Sequence, residues 1–339
     1  MLCHHNDDVH RAEEAIIMMA EALDDVDDVF VYMGGNQQVP DEVRRARIHK
    51  SVNTVRARAF QGRYNLIYVE FHDRVEIIEM NAFYYCPLRS VKLLGVKIIK
   101  REAFKDCREL TDVDFGDKLE TIEKEAFACS RWYCSNKLKK IKMPSVRTIG
   151  ESAFTWSPQL SDVEFGEALR TLEERAFCNC PKLKRVALPL KDNMIGDEVF
   201  DACDKLTTVD LVGGIHQTVA SLHMESWRIK MYKEINRINQ SLPTTNEHYK
   251  TNIIQHWMRS VIRRLDHYKA EHQQMLKEAT TLLELALWKA NLDGSNGGKG
   301  EREGARTTRG SRKRAREESC VTSGAAVVIK NVLPFLQLS

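Results

Sequence analysis

The pair Ala-Phe returns along the chain at a nearly fixed interval, at 59–60, 82–83, 103–104, 126–127, 153–154 and 176–177, and Val199-Phe200 continues the series. Successive phenylalanines lie 23, 21, 23, 27, 23 and 23 residues apart. Other positions keep step. A branched apolar residue precedes the pair (Ile99, Ile122, Ile149, Leu172, Ile195), Leu follows Phe by six residues, Val by nine and an apolar residue by eleven. A unit this small cannot bury its own apolar face and folds only by stacking on copies of itself. The segment "LKRVALP" alternates as a strand does, with Leu183, Val186 and Leu188 inward, and "LEERAF" reads as a tight helical turn on the opposite side. The second repeat lacks one residue at "YYCPLRSV", and the fourth gains about five at "SRWYCSNK". The expected fold class is an α/β repeat: a solenoid of about seven coils over residues 52–212, with a curved parallel sheet.

Cysteine falls three residues after Phe in four repeats, as Cys86, Cys107, Cys180 and Cys203, and the same slot holds Arg63, Ser130 and Ser157 elsewhere. A position that recurs once per coil and favours a small side chain is expected to be buried, where a free thiol packs as a small hydrophobe. Cys178-x-Cys180 is then a slot cysteine with one extra beside it. It reads as structural, with zinc binding or redox work the alternative, and no histidine lies at metal-ligand spacing. Cys129 and Cys134 lie at the insertion, where the pattern assigns them no role.

These residues resemble the leucine-rich repeat superfamily in its BspA-type form, whose pattern LxxIgxxAFxgCxxLxxVxiP is matched over 52–212. "EINRINQSLP", "HYKAEH" and "KEATTLLELALWKANL" further on are similar to large families of such repeats in unicellular eukaryotes. The resemblance implies a non-catalytic binding scaffold, and bacterial members of the family are often surface adhesins.

The residues flanking the inward Val of each strand are expected to face solvent. In chain order they are Tyr68 and Glu70, Ser90 and Lys92, Asp112 and Asp114, Lys140 and Lys142, Asp162 and Glu164, Arg185 and Ala187, Thr208 and Asp210. Their sign alternates from strand to strand. That weighs against nucleic acid in the groove, because a phosphate tract favours one continuous positive face. Two readings stay open: an ion-pair ladder that keeps the sheet soluble, or a recognition face for a protein with its own alternating charges.

Residues 213–292 leave the repeat and read as a helical hairpin or coiled-coil module. One amphipathic helix is expected over 222–241, with Trp227, Met231, Ile235 and Ile238 on one side. Thr244 and Glu247 read as a capping box for a second helix that runs to about Leu292, with Gly294 able to end it. Ile254, Met258, Val261, Leu265, Tyr268, His272, Met275, Ala279, Leu282 and Ala286 follow the 3-4 spacing of a coiled-coil seam, and Leu276, Leu283 and Leu287 widen it. The seam either packs within the chain, as a hairpin or against the last repeat, or serves self-association or a partner.

Charge is concentrated at the ends. Residues 1–28 hold nine acids and one arginine, and 299–316 hold eight Lys/Arg against two Glu. The Gly- and Arg-rich stretch 293–318 is expected to be a disordered basic linker. Arg312, Lys313, Arg314 and Arg316 fit a short nuclear-import pattern, a plain solvated linker or a nucleic-acid contact. The closing segment 319–339 is apolar but interrupted by Lys330 and Pro334, and residues 29–51 read as a lead-in or cap.

The start "MLCHHNDDVHRAEE" lacks a basic stretch followed by an apolar run, and no run has the roughly 18 apolar residues of a membrane helix. The sequence therefore predicts no export, no membrane span, and reduced thiols in the cytoplasm or nucleus. Asn239-Gln240-Ser241 is a glycosylation sequon with no expected use in that setting. His4, His5 and His10 beside Asp7 and Asp8 suit only adventitious metal binding.

No phosphate-binding loop, zinc-protease helix, nucleophile elbow or dinucleotide fingerprint is present. The expectation is a scaffold without cofactor or metal that binds a protein partner. A nuclear, nucleic-acid-associated protein that uses the basic linker is the alternative, and a surface adhesin a more distant one.

Overall fold

The computed structural model describes residues 29–130 and 136–296. The described residues form two compact units, residues 29–215 with Glu234–Ser260, and His216–Lys233 with residues 261–296.

The first unit is one short path of chain repeated coil after coil. Each coil opens with a long strand, turns a corner into a two-residue strand, and returns through the Ala-Phe turn. The long strands begin with Val29–Tyr32, Arg45–Ile48, Tyr68–Glu70, Ser90–Lys92 and Asp112–Asp114, which pair in parallel in that order. Lys140–Met143, Asp162–Phe165, Arg185–Leu188 and Thr208–Leu211 form a second parallel panel. The short strands, from Thr54–Val55 to Thr171–Leu172, make one uninterrupted six-stranded sheet. The extra residues of the fourth repeat enter just before Leu138. They break the long-strand ladder there but not the short-strand one, where Thr121–Ile122 still pairs with Thr148–Ile149.

The Ala-Phe turn explains the strict period. In most coils two residues adopt left-handed backbone, two before and two after Phe; around Phe127 only Glu125 does. Examples are Glu102 and Asp106 around Phe104, and Arg175 and Asn179 around Phe177. This geometry aims the Phe N–H along the stack. Phe60 N donates to Ala82 O, Phe83 N to Ala103 O and Phe104 N to Ala126 O, each at 2.8 Å. The phenyl rings follow: from Phe60 to Phe200 they stack at 4.9 to 6.2 Å between centroids, within 18° of parallel. Neighbouring parallel strands lie about 4.8 Å apart, so one ring per coil at this position stacks with little adjustment.

The sheet starts earlier than the repeat pattern suggests. Val29–Tyr32 and Arg45–Ile48, within the expected lead-in, are full members in register, Val31 opposite Arg47 and Tyr32 opposite Ile48. Ala46 occupies the slot that holds Val in later coils, and Tyr32 tilts over Phe60 at 5.1 Å.

The last coil has no neighbour, and side chains take its place. Asn239 pairs with both backbone groups of Val209, accepting its N–H at 2.8 Å and donating to its carbonyl at 3.2 Å. Thr251 Oγ1 accepts the N–H of Phe200 at 2.9 Å, the bond an Ala carbonyl accepts elsewhere. Gln255 Nε2 donates to Ile195 O and Gly196 O, and Lys250 Nζ to the carbonyls of Cys203, Asp204 and Leu206 at 2.9, 2.6 and 3.0 Å. Lys250 is 1% exposed, and burial pulls its ammonium below the usual lysine range.

Three helices follow the repeats: α1 (Gly214–Ala220), α2 (Glu225–Ser241) and α3 (Lys250–Asn296). Between α2 and α3 lie two 3-10 turns, Leu242–Thr244 and Glu247–Tyr249. The expected Thr244 capping box does not form. Pro243 draws Thr244 into the first turn, where its hydroxyl donates to Ser241 O, and Asn246 instead accepts the N–H of His248. Gly294 does not end α3, which runs on to Asn296.

The seam is largely consumed within the chain. Ile254, Met258, Val261, Leu265, Tyr268 and His272 are buried, Met275 is half-buried, and Leu282 is 66% exposed. In the first unit, Trp257 Nε1 donates to Glu234 O and Ser260 Oγ to the Glu234 carboxylate. In the second unit, Tyr268 stacks on Trp227 at 5.1 Å and His272 on His223 at 4.1 Å, so the facing segments run antiparallel. Burial, with His223 alongside, holds His272 below the usual histidine range.

Lys250→Met takes the ammonium donor from the carbonyls of Asp204 and Leu206, while Cys203 O keeps the N–H of Leu206, and is expected to lower unfolding stability by about 2–4 kcal/mol. Lys289→Met, at an exposed helix position, is expected to change it by under about 0.5 kcal/mol. Urea midpoints of the two variants against the parent chain check both values.

Candidate binding face

Outward side chains of the long strands line up in two rows. One runs Arg45, Tyr68, Ser90, Asp112 and, past the interruption, Lys140, Asp162, Arg185 and Thr208. The other runs Val31, Arg47 and Glu70, then Lys92 and Asp114, then Lys142, Glu164, Ala187 and Asp210, where Ala187, expected to face solvent, is instead buried at 3% exposure. Strand alternation separates both rows from the core, since Val69, Val91, Val113, Ile141, Val163, Val186 and Val209 between them are buried. All eleven charged and aromatic positions expected for this face lie on it. Arg45 and Arg47 belong to it too. The "RARI" alternation carried that signal, but it falls outside the Ala-Phe period.

The face holds six cations (Arg45, Arg47, Lys92, Lys140, Lys142, Arg185) and six anions (Glu70, Asp112, Asp114, Asp162, Glu164, Asp210), so its net charge is zero. Pairing is uneven. Arg185 joins Asp162, Glu164 and Asp210 at 3.0, 3.8 and 2.5 Å. Arg47 meets Glu70 at 2.6 Å, and Lys142 lies 3.5 Å from Glu164. The Arg45 guanidinium lies 5.7 Å from the ring centre of Tyr68. Among the described residues, Lys92, Asp112, Asp114 and Lys140 have no ion pair; Asp112, Asp114 and Lys140 flank the break between the panels, and Lys92 lies one strand away. Val31 and Tyr68 add exposed apolar surface, at 39% and 43%. Exposed pairs of this kind contribute about 0–1 kcal/mol each.

The repeat-slot cysteines serve the stack. Cys86 Sγ donates to Phe60 O at 2.9 Å, Cys107 to Phe83 O at 3.2 Å, Cys180 to Phe154 O at 3.4 Å and Cys203 to Phe177 O at 3.2 Å. The slot therefore favours a small donor to the preceding coil. Arg63 meets the same need by reaching Val39 O, whereas the Ser157 hydroxyl is buried without a partner. Cys178 is also buried, its sulfur accepting from Asn179 Nδ2 at 3.1 Å, and so is Cys129. Burial first, then Cys203 and Asp201, pushes the Cys178 thiol up to about 11, and burial pushes Cys86 to about 12. A nucleophilic or metal-binding cysteine needs the reverse shift.

Among the described residues, no three His, Cys, Asp or Glu side chains converge as a metal site, and no helix is long and apolar enough to cross a membrane. The acidic segment 1–28, Cys134, the import pattern at Arg312, Lys313, Arg314 and Arg316, the linker from 297 on and the apolar segment 319–339 lie outside the described residues.

The family model described as "BspA type Leucine rich repeat region" matches residues 41–133 and 130–242, with six copies. Among solved structures, the chain is similar to a leucine rich cell surface protein of Faecalibacterium prausnitzii, with 28% identity, TM-score 0.43, and 53% of this chain and 49% of that one covered. It is also similar to a leucine-rich repeat protein of Bacteroides ovatus, with 22% identity, TM-score 0.37, and 52% and 54% covered. A leucine rich repeat protein of T. pallidum matches with 21% identity, TM-score 0.35, and 53% and 68% covered. The chain spans about half the length of the first two. No curated protein sequence matches it significantly.

The thiols of Cys86 and Cys178 carry a pH signature. Below about pH 8 they are protonated in both folded and unfolded states, and their contribution to stability is fully present. Above the unfolded value of 9.0 the unfolded chain releases protons that the folded chain keeps to about 11 or 12, so stability is expected to fall with rising pH. At pH 8 the six cysteines of the described residues should resist a thiol-reactive disulfide reagent until denaturant is added. Rapid labelling of Cys178 in the folded chain contradicts this account.

Proposed function

The chain belongs to the BspA type leucine rich repeat family, and from that premise we propose that it is a non-catalytic scaffold that holds a protein partner on its long-strand face. Proteins built from leucine-rich repeats are in general interaction or surface proteins. The observation that carries the reading here is the face itself: two rows with equal numbers of positive and negative side chains, unpaired charges beside the break, and exposed Tyr68 and Val31. Such a face offers no continuous positive track for a phosphate backbone. It suits a protein surface whose charges alternate in the opposite phase, where complementarity sets register more than affinity. The six cysteines of the described residues are free and buried, which favours a reducing compartment, and our reading puts the scaffold in the cytoplasm or nucleus.

The test is co-purification from the native cell with the full chain as bait. A second bait carries Asp114→Lys and Lys140→Glu, which reverse the unpaired charges while leaving the core intact. Loss of about ten-fold or more of the captured partner in the reversed bait is expected, since like-charge juxtaposition costs several kcal/mol. Equal capture by both baits sinks the proposal.

Self-association through α3 is a second reading, favoured by one observation. Beyond Ala279 the helix exposes Leu282, Leu285, Leu287 and Trp288, at 66%, 55%, 58% and 64%. A monomeric chain that leaves such a stripe open is unusual. The full chain is expected to sediment as a dimer, and its Leu285→Glu, Trp288→Glu variant as a monomer. A monomeric parent chain at about 50 μM removes this reading.

A further inference from the structure

Charge sign on the long-strand face alternates without exception over eight successive long strands. Arg45 and Arg47 are followed by Glu70, Lys92, Asp112 with Asp114, Lys140 with Lys142, Asp162 with Glu164, Arg185, and Asp210. This alternation decides how two such faces can meet. A two-fold axis along the stack lays each strand on its own copy, and an axis parallel to the strands that passes through one of them lays basic strands on basic ones. Both set like charges opposite each other. An axis parallel to the strands that runs between two of them brings only strands of opposite sign together.

The break between Asp112–Asp114 and Lys140–Met143 is the middle of the series, and an axis there engages all eight strands. Such an axis keeps the position along each strand, so the opposite number of every residue is fixed by the strand register. Asp112 comes to face Lys140 of the second copy, Asp114 faces Lys142, Lys92 faces Glu164, and Arg47 faces Asp210. Ser90 faces Asp162, and Tyr68 faces the Arg185 guanidinium, a cation–π arrangement. Arg45 with Thr208 and Glu70 with Ala187 are charged-neutral contacts, so no like charges meet. Lys92, Asp112, Asp114 and Lys140 have no ion pair among the described residues of one chain, and this single axis gives each of them an opposite charge.

We propose that the partner held on the long-strand face is a second copy of this chain, turned about a two-fold axis between Asp112–Asp114 and Lys140–Met143. The proposal rests on the reading of that face as a protein-binding surface. From Phe60 to Phe177 the core rings repeat at 4.9 to 5.2 Å, close to the strand spacing of about 4.8 Å, so the face bends only gently over these coils and a second one can approach it. Sheets stacked face to face cross at about 30°, which keeps contact closest at the axis, beside which Asp112, Asp114 and Lys140 lie. Eight strands and two rows cover roughly 34 by 10 Å, a few hundred Å² per copy against about 800 Å² in a stable interface. Association is therefore weak, and because it is ionic it weakens further with salt.

Zero-length carbodiimide coupling of an equal mixture of light and heavy isotope-labelled full chains tests it. Within one chain Lys92 and Glu164 lie three strand steps apart, about 14 Å, too far to couple directly. At about 20 mM salt, links joining a light to a heavy chain are expected between Lys92 and Glu164 and between Lys142 and Asp114, and they should fade near 500 mM as screening shortens to a few ångströms. One variant carries Asp112→Lys and Asp114→Lys, a second Lys140→Glu and Lys142→Glu, so that each has two central strands of one sign. Either variant alone should lose about ten-fold or more of the Lys92–Glu164 link, and an equal mixture of the two should regain it. Absence of this link from the parent mixture, or equal yield in either variant alone, overturns the proposal. If the Asp114→Lys, Lys140→Glu bait nevertheless loses its captured protein, the face binds a different protein and only the second copy is excluded. If that bait loses nothing, the reading of the face falls as well.

Discussion

A coil of this protein cannot satisfy its own backbone. The N–H of each core Phe points along the stack and reaches the carbonyl of the residue before Phe one coil further on. The other features of the coil serve that bond. Two left-handed residues flank the ring in most coils and aim the amide, although non-glycine residues adopt such backbone only at a cost of about 1–2 kcal/mol. The rings stack because the amides do, and the slot cysteines add a second bond in the opposite direction, from each coil back to the Phe carbonyl before it. Where coils come closest, side chains are excluded: a Cβ on Gly166 would collide with the carbonyl of Pro144.

The same requirement shapes the end of the stack. Once the coils stop, donors and acceptors that a neighbour would have satisfied remain, and each needs a partner of the right polarity. The residues that fill these places have little in common as a sequence motif: an amide for an edge strand, a hydroxyl for an amide N–H, an ammonium for a cluster of three carbonyls. They are alike only in replacing backbone groups of a coil that is not there. The helical segments that carry them are thereby fixed to the last coil through directional bonds as well as apolar packing.

The repeating interior was legible in the sequence because it is periodic. The Phe, Leu and Val positions, the cysteine slot, the insertion and the alternating charges of the face all stand where the pattern places them. What the sequence hid is what occurs once. Ala46 replaces the expected Val, so the strand at 45–48 left no trace in the period. Asn239, Lys250, Thr251 and Gln255 act on groups 30 to 60 residues away, a distance that no local pattern encodes. Thr244 had the spacing of a helix cap, but Pro243 drew it into a 3-10 turn and Asn246 took the capping role. The insertion was visible as extra residues, yet its effect depends on where they enter: before a long strand, they interrupt the long-strand sheet and spare the short-strand one.

The alternation of charge from strand to strand on the long-strand face bears on how such a chain can lengthen. Geometry sets no limit on copying a single coil, because every interior coil presents the same bonding pattern to its neighbours. Electrostatics does set one. A lone duplicate of a basic coil would lie against its twin, with lysines and arginines facing each other at strand spacing. A duplicated pair, one basic and one acidic, restores the phase on both sides. By this parity rule the increment that preserves the phase is two coils, about 45 residues.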